Sequence, residues 1–370
     1  MTGDRPTVRT FLSDRGRVGR ALGWLLLVAA VVGTLLLGTS PSPYAVERPG
    51  PVYDVLGKTE VNGKSVPLIE IPSRTTYPTT GVLDMLTVYQ DGSPQNTVSW
   101  IELAGSWFDP SRAAIPLDEL YPPGQTEDQS NAESAIDMTN SQQAATAAAL
   151  TELKIDYTAK VVVAEVIKGT PAAGRLKAGD ELVTVNGEGV TGLTMLQHAV
   201  QTNGVSKPLD LVIRRNGTLK TLEITPAINP DSKKPAVGVY TGSTFTFPFD
   251  VKIQLQDVGG PSAGMMLALG IYDKLTPGAL AGRAHIAGTG TIDPDGAVGP
   301  IGGIRQKMYG ARDAGATWFL APESNCNEVT GHIPSGLTVF AVKTLDDSLA
   351  DVRVIAAGGD TSKLATCSRP

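Results

Sequence analysis

The chain has 370 residues, of which 41% are hydrophobic and 18% charged, a balance that gives folded, core-forming domains rather than a disordered chain. That length exceeds one ordinary core and predicts two modest domains with extensions. The net charge of −6, with no Arg/Lys stripe interleaved with aromatics, excludes nucleic acid as a partner, because phosphate binding needs a basic surface.

Residues 21–39 (ALGWLLLVAAVVGTLLLGT) carry no charge and at the helical rise span roughly 28 Å. Arg5, Arg9, Arg15, Arg17 and Arg20 precede them against only Asp4 and Asp14, and the Pro-rich SPSPYAVERPG follows. The positive-inside asymmetry predicts a single-pass anchor in the cell membrane. Residues 1–20 form the cytoplasmic tail, 21–39 the transmembrane helix, and everything after Ser40 is extracytoplasmic. A cleaved signal peptide is the alternative; its apolar region would be unusually long, and no clean small-x-small site follows.

Short strand-like runs such as GVLDMLTVYQ and TVSWIEL come next, then a polar, turn-rich patch, YPPGQTEDQSN. The Ala-rich segment 134–153, with apolar residues at Ile136, Ala144, Ala147 and Leu150, predicts a helix. From residue 160 to 226 the pattern is strand, turn, strand, helix, strand, strand, with Asn-Gly turns at 186–187 and 216–217. Residues 229–235 (NPDSKKP) read as a linker, with strand character returning at 237–240 and 251–255.

The serine of Gly260-Pro261-Ser262-Ala263-Gly264 follows the strand-like VKIQLQ and precedes MMLALGIY, apolar all round and hence a buried helix. A helix start places backbone N–H groups and the positive end of the dipole beside that serine, where an oxyanion can be stabilised; Gly260, Pro261 and Ala263 are the backbone positions concerned. Taken alone, the same string fits an ordinary helix cap. Further on, IRQKMYGARDAG predicts a helix with its apolar stripe at Ile304, Met308, Ala311 and Ala314, and Lys307 lies on that stripe while Arg305, Gln306, Arg312 and Asp313 face away. Burial disfavours an ammonium and makes a neutral amine available to a serine that lacks a histidine. A lysine stem laid over apolar surface, with its head in water, is the bland alternative. The two cysteines, Cys326 and Cys367, both lie beyond the anchor. In an oxidising compartment they are expected to pair as a disulfide, and as free thiols if the topology is otherwise. The histidines are scattered at 198, 285 and 332, so no metal site is expected.

Two resemblances gather these pieces. GTPAAGRLKAGDELVTVNGEGV resembles a PDZ domain of the kind attached to bacterial envelope proteases, although LKIDYTAK stands where a glycine-rich carboxylate-binding loop would precede the first strand. Such domains bind extended peptides or C-termini; a β-rich spacer without ligand is the alternative. GGPSAG, then TGTI, then AVGPIGGIRQKMYGARDAGATWFLAP resemble the proteolytic domain of Lon in order and spacing. That resemblance implies Ser262 as nucleophile, Lys307 as general base and Thr289 as a third polar group beside the dyad. One departure is Gly259, where many Lon sequences carry an acidic residue. The whole plan is similar to bacterial membrane-anchored, PDZ-containing Lon-like proteases. It implies an α+β fold in which 40–155 and 229–370 form the protease region and 156–228 an inserted PDZ domain. No GxxxxGK[ST] loop occurs in the sequence, so an ATP-independent serine endopeptidase is expected, with no cofactor and with protein or peptide substrates that are already flexible. A hexameric ring is implied by resemblance only. The rivals are an α/β-hydrolase, using His332 with Asp295 or Asp313, and a non-catalytic peptide-binding scaffold.

Overall fold

The computed structural model describes residues 9–367 apart from Pro123, Thr191, Asp231 and Asp257. Residues 1–8 of the expected cytoplasmic tail lie outside the described residues. The first element is a helix, α1 (Arg9–Thr39), whose segment Leu22–Thr39 has mean hydropathy 2.2 and no buried residue. By length and composition it is apolar enough to cross a membrane.

Strands β1 (Tyr44–Asp54) and β2 (Val82–Asp91) follow, then a short helix α2 (Trp100–Ser106), strand β3 (Ala113–Pro116) and the long helix α3 (Glu127–Glu152). Helix α3 starts seven residues before the predicted start at 134. A capping box sets that start, with the Thr126 hydroxyl accepting from Gln129 N and the Gln129 side chain accepting from Thr126 N. The added turns are polar and largely exposed, so no apolar period marks them. The chain then builds β4 (Thr158–Val166), β5 (Glu181–Val185), α4 (Leu193–Asn203), β6 (Leu209–Arg215), β7 (Thr218–Ile224) and β8 (Val239–Thr246). It returns to the first body as α5 (Gly264–Leu275), β9 (His285–Gly288), α6 (Ile304–Asp313), β10 (Trp318–Pro322), β11 (Thr338–Val342) and α7 (Leu345–Ala356).

The main sheet has the order β11-β10-β9-β2-β1-β3. Its β11-β10-β9-β2 part is parallel, and β1 pairs antiparallel with both β2 and β3. Alternation along the strands supplies both faces. On one face Met85 and Leu320 join a core with Ala145, Ala148 and Leu150 of α3, Met265 to Leu269 of α5 and Leu349 of α7. On the other, Leu86 and Phe319 pack with Ile304, Met308 and Ala311 of α6. The larger core thus joins residues on both sides of the second sheet in sequence.

That second sheet runs β7-β6-β5-β4-β8 and is antiparallel throughout these pairs. It has its own core, including Val161, Leu182, Leu196, Val200 and Ile213. Asn186 and Asn216, both at positive φ, occupy the tight Asn-Gly turns read from the sequence. Its outermost strand β8 pairs with β4 over Val239–Thr246 and comes from residues beyond 228. This mixed α/β body with its second sheet agrees with the α+β expectation.

Candidate active site

Helix α5 is buried at every residue from Gly264 to Ile271, as an all-round apolar sequence requires. Ser262 sits in the turn before it and is half-buried. Of the expected VKIQLQ strand, only Lys252–Ile253 pairs, with Ile69–Glu70, so the serine enters from a loop rather than from a central strand. Two hydrogen bonds tie that loop to α3: Gly260 N–H donates to Ser134 O (2.8 Å) and the Ser141 hydroxyl donates to Pro261 O (2.9 Å). On the other side, Gly290 N–H and the Thr289 hydroxyl both donate to Ser262 O, at 2.9 and 3.0 Å. The serine is clamped between a helix and a strand end.

Gly259 explains its own departure from the Lon pattern. A Cβ at this position would stand 2.7 Å from Ser134 Cβ, closer than packed carbon atoms approach. An acidic side chain there is incompatible with α3 lying this close to the loop that carries Ser262.

Helix α6 presents Lys307, which is 3% exposed. Its Nζ lies 2.8 Å from Ser262 Oγ and 3.3 Å from Thr289 Oγ1. The helix begins at Gly303, held at φ +67 in the left-handed region, where a Cβ would stand 2.8 Å from Val88 Cγ1, so glycine alone fits. From beyond the helix in sequence, buried Asn325 fastens its entry: its Oδ1 accepts from Ile301 N (3.0 Å) and its Nδ2 donates to Ile301 O (2.9 Å). The expectation that Gln306 faces away from the core is corrected, since it is 3% exposed. Its side chain lies at the wall of a recess shared with Ser106 and Trp107 at the end of α2. Ala314, expected on the apolar stripe, caps the helix and is exposed.

Desolvation dominates the electrostatics. Burial pulls the Lys307 amine down to about 8, opposed by the charge of Glu47. Burial likewise raises the Glu47 carboxyl, opposed by Lys307. Each group is pushed toward its neutral form more strongly than the other's charge restores it. No local sequence signal marks Glu47, Ser134, Ser141 or Asn325, because each reaches the site from a distant segment.

Ser262 and Lys307 open into a cavity of about 370 Å³ shared with Tyr53, Leu86, Met138 and Gly259. Of the backbone positions expected around an oxyanion, Gly260 has its N–H engaged by Ser134 O and Pro261 has none to give. Ala263 stands at the N-cap of α5. The residues nominated for a hydrolase triad are elsewhere. His332 lines a separate recess with Arg305, Tyr309 and Trp107. Asp295 accepts from Ala297 N (3.2 Å) inside a tight turn, and Asp313 is paired with Arg312. Cys326 and Cys367 are joined as a disulfide.

A serine hydroxyl and a buried amine are thus in contact at the head of a buried helix. The class is given by comparison: residues 256–354 match the Lon protease C-terminal proteolytic domain, and residues 134–225 match the PDZ domain. The chain carries a Lon-type peptidase domain and a PDZ domain. The PDZ match begins within α3, whereas the strands of the second sheet start at Thr158 and end at Thr246.

Similar proteins include Lon protease 2 of Herpetosiphon aurantiacus, 39% identical over 107 residues, which are 27% of this chain and 13% of that protein. The Lon protease of Clostridium beijerinckii is 39% identical over 95 residues, 25% of this chain and 12% of that one. The Lon protease of Helicobacter pylori strain J99 is 28% identical over 206 residues, 53% of this chain and 24% of that one. This chain therefore spans about an eighth of the length of the first two relatives and about a quarter of the third. The solved PDZ domain of an SdrC-like protein from Listeria monocytogenes is similar over 22% of this chain and 85% of its own length, at 21% identity and a TM-score of 0.21.

Proposed function

We propose that this protein is a membrane-anchored serine endopeptidase in which Ser262 is the nucleophile and Lys307 the general base. Its catalytic body lies outside the cytoplasm, and it cleaves flexible polypeptides without ATP. The observation that carries the reading is the 2.8 Å contact between Lys307 Nζ and Ser262 Oγ, made by an amine that burial brings down to about 8.

In its neutral form the amine accepts the Ser262 proton through its lone pair as Oγ bonds to the substrate carbonyl carbon. The new oxyanion faces the start of α5, where the Ala263 N–H and the helix dipole stabilise it. The Lys307 ammonium then returns the proton to the leaving amine as the peptide bond breaks, leaving an acyl ester on Ser262. Water attacks that ester, giving one proton to Lys307, and the returning proton restores the serine hydroxyl. Thr289 orients the amine: it accepts from Lys307 Nζ and donates to Ser262 O.

The protease domain in this reading is formed by 40–155 with the chain that follows β8, and their shared core supports that division. The expected boundary at 228 moves to the end of β8, because Val239–Thr246 completes the second sheet. The PDZ unit recruits extended peptide to the outer edge of β8. That edge strand adjoins a cavity of about 620 Å³ lined by Thr241, Ser243, Leu193 and Met195 together with Asn140 and Ala144 of α3. Strand addition at such an edge supplies main-chain hydrogen bonds. A ring assembly rests on the resemblance to Lon alone, and light scattering of the detergent-solubilised chain measures it.

The test is cleavage of an unfolded polypeptide by the full chain in nucleotide-free buffer. Cleavage is expected, with complete loss in Ser262→Ala. A requirement for ATP, or cleavage by Ser262→Ala, overturns the reading.

A further inference from the structure

Four large apolar side chains stand exposed on and just beyond α2: Trp100 (36%), Ile101 (46%), Trp107 (72%) and Phe108 (89%). At about 100° per residue, Trp107, Trp100, Ala104, Phe108 and Ile101 fall on one arc of roughly 120°. The opposite side is used: Leu103 and Ser106 are buried, with Leu103 packed against Val46 and Val98. The only charged residue between 100 and 108 is Glu102. An arc of aromatic and aliphatic groups on a short, rigidly held helix calls for a partner that is itself apolar on one side and wet on the other.

The position of α2 identifies that partner. It is bound to the end of α1, with Trp100 N donating to Ser40 O (3.4 Å) and Ser42 N donating to Val98 O (2.9 Å). Pro41 and Ser99 form a bridge, and Ile101 Cγ2 lies 3.9 Å from where a Cβ on Gly38 would be. Tyr44 meets Trp100 edge to face. If α1 crosses a bilayer, its last turn lies at the interface, and α2 is fixed at that same depth. Trp and Phe favour this zone, where rings reach the acyl boundary and polar edges stay hydrated. Arg305 and Arg112, the latter paired with Asp109, line the recess beside Trp107 and offer guanidinium groups to headgroup phosphates.

We propose that α2 and the Trp107–Phe108 pair lie in the lipid headgroup region, so that the protease body sits flush on the extracytoplasmic membrane surface instead of hanging from a tether. The proposal rests on α1 being a membrane anchor. The same segment lines a recess with Arg305 and Tyr309 of α6, the helix that carries Lys307.

The experiment uses the full chain in phosphatidylcholine–phosphatidylglycerol vesicles whose acyl chains are brominated either near the glycerol or near the chain ends. One variant keeps Trp107 alone (Trp24→Phe, Trp100→Phe, Trp318→Phe), and a second keeps Trp24 alone as a reporter of the anchor. Both are conservative ring substitutions, and circular dichroism confirms folding. The expected result is loss of Trp107 fluorescence with a blue shift, greater with bromines near the glycerol, together with quenching of Trp24. Quenching of Trp24 with Trp107 untouched by bromine and open to acrylamide overturns the proposal while leaving the anchor intact. Trp107 shielded from both quenchers means that a second copy or another protein covers the patch, which also overturns it. Absence of quenching at both tryptophans removes the anchor and this inference together.

Discussion

The catalytic body and the PDZ unit are built on opposite principles. In the PDZ unit each strand meets partners close by in sequence, as with β6 and β7 across Asn216 and Gly217, and the core is its own. Only β8 arrives from further along the chain. The catalytic body is non-local at every point: Glu47 comes from β1, Ser134 and Ser141 from α3, Ser262 from the turn before α5 and Lys307 from α6. The first kind of region tolerates separation from its surroundings. In the second, a buried amine is held against a hydroxyl only because several distant segments pack correctly, and small displacements cost rate.

The largest effect expected to sharpen this contrast is at the dyad. Ser262→Ala and Lys307→Met should each lower peptide cleavage by more than about 10³-fold, with the double variant little worse, because the two act as one unit. Steady-state hydrolysis of a fluorogenic peptide reads this, and additive losses would break the claim of a single unit. Next comes the brace behind the nucleophile. Gly259→Asp forces the loop away from Ser134 and is expected to reduce kcat by about 10–100-fold while the circular dichroism spectrum is retained. Near-normal kcat in this variant would mean that the contact with α3 does not set the geometry.

The pH dependence follows from the buried amine. Activity should rise through about pH 8 as the Lys307 amine becomes neutral. The folded-state value lies below the ordinary lysine value of 10.5, so between the two the unfolded chain holds the proton and the folded chain does not. Stability therefore rises with pH across that window, and below about 8 the folded state carries the full burden of a buried ammonium. At pH 7, Lys307→Met should leave the melting temperature unchanged or raise it, with relief of up to about 3 kcal/mol. A clearly lowered melting temperature would identify Lys307 as one half of a structural ion pair.

Reducing the Cys326–Cys367 disulfide, whose partners are 41 residues apart, is expected to cost about 2–4 kcal/mol, measured by thermal unfolding with and without reductant. The smallest effect on catalysis belongs to the PDZ unit. Leu193→Asp, at the start of α4 beside the β8 edge, should weaken binding of an extended peptide about 5–10-fold and leave cleavage of a short peptide unchanged. Loss of both would show that the two regions are more tightly coupled than their separate cores indicate.

The same contrast governs what was legible in the sequence. Elements with their own period or turn chemistry were readable: the PDZ strands with their Asn-Gly turns, the all-apolar α5, and the α6 stripe that carries Lys307. Cys326 and Cys367 also pair as expected. The first turns of α3 escaped because they are polar and exposed, although Thr126 and Gln129 form a recognisable capping box. Gln306 reads as solvent-facing because helical spacing reports only the helix itself, not the distant segment that shares its recess. Strand β8 lies at the sheet edge, yet in sequence it follows the linker 229–235, so a boundary at 228 leaves it outside the PDZ sheet it completes. Glu47, Ser134 and Ser141 join the site only through tertiary packing, and a one-dimensional pattern holds no trace of that.

The central claim is that Lys307 activates Ser262. The most direct measurement is covalent labelling of the full chain with a serine-directed phosphonate, followed by peptide mass spectrometry, comparing the native protein with Lys307→Met at matched thermal stability. The label should sit on Ser262 in the native protein and be lost when Lys307 is methionine. Labelling of Ser262 that is equally fast without the lysine, or a label on a different serine, would contradict it.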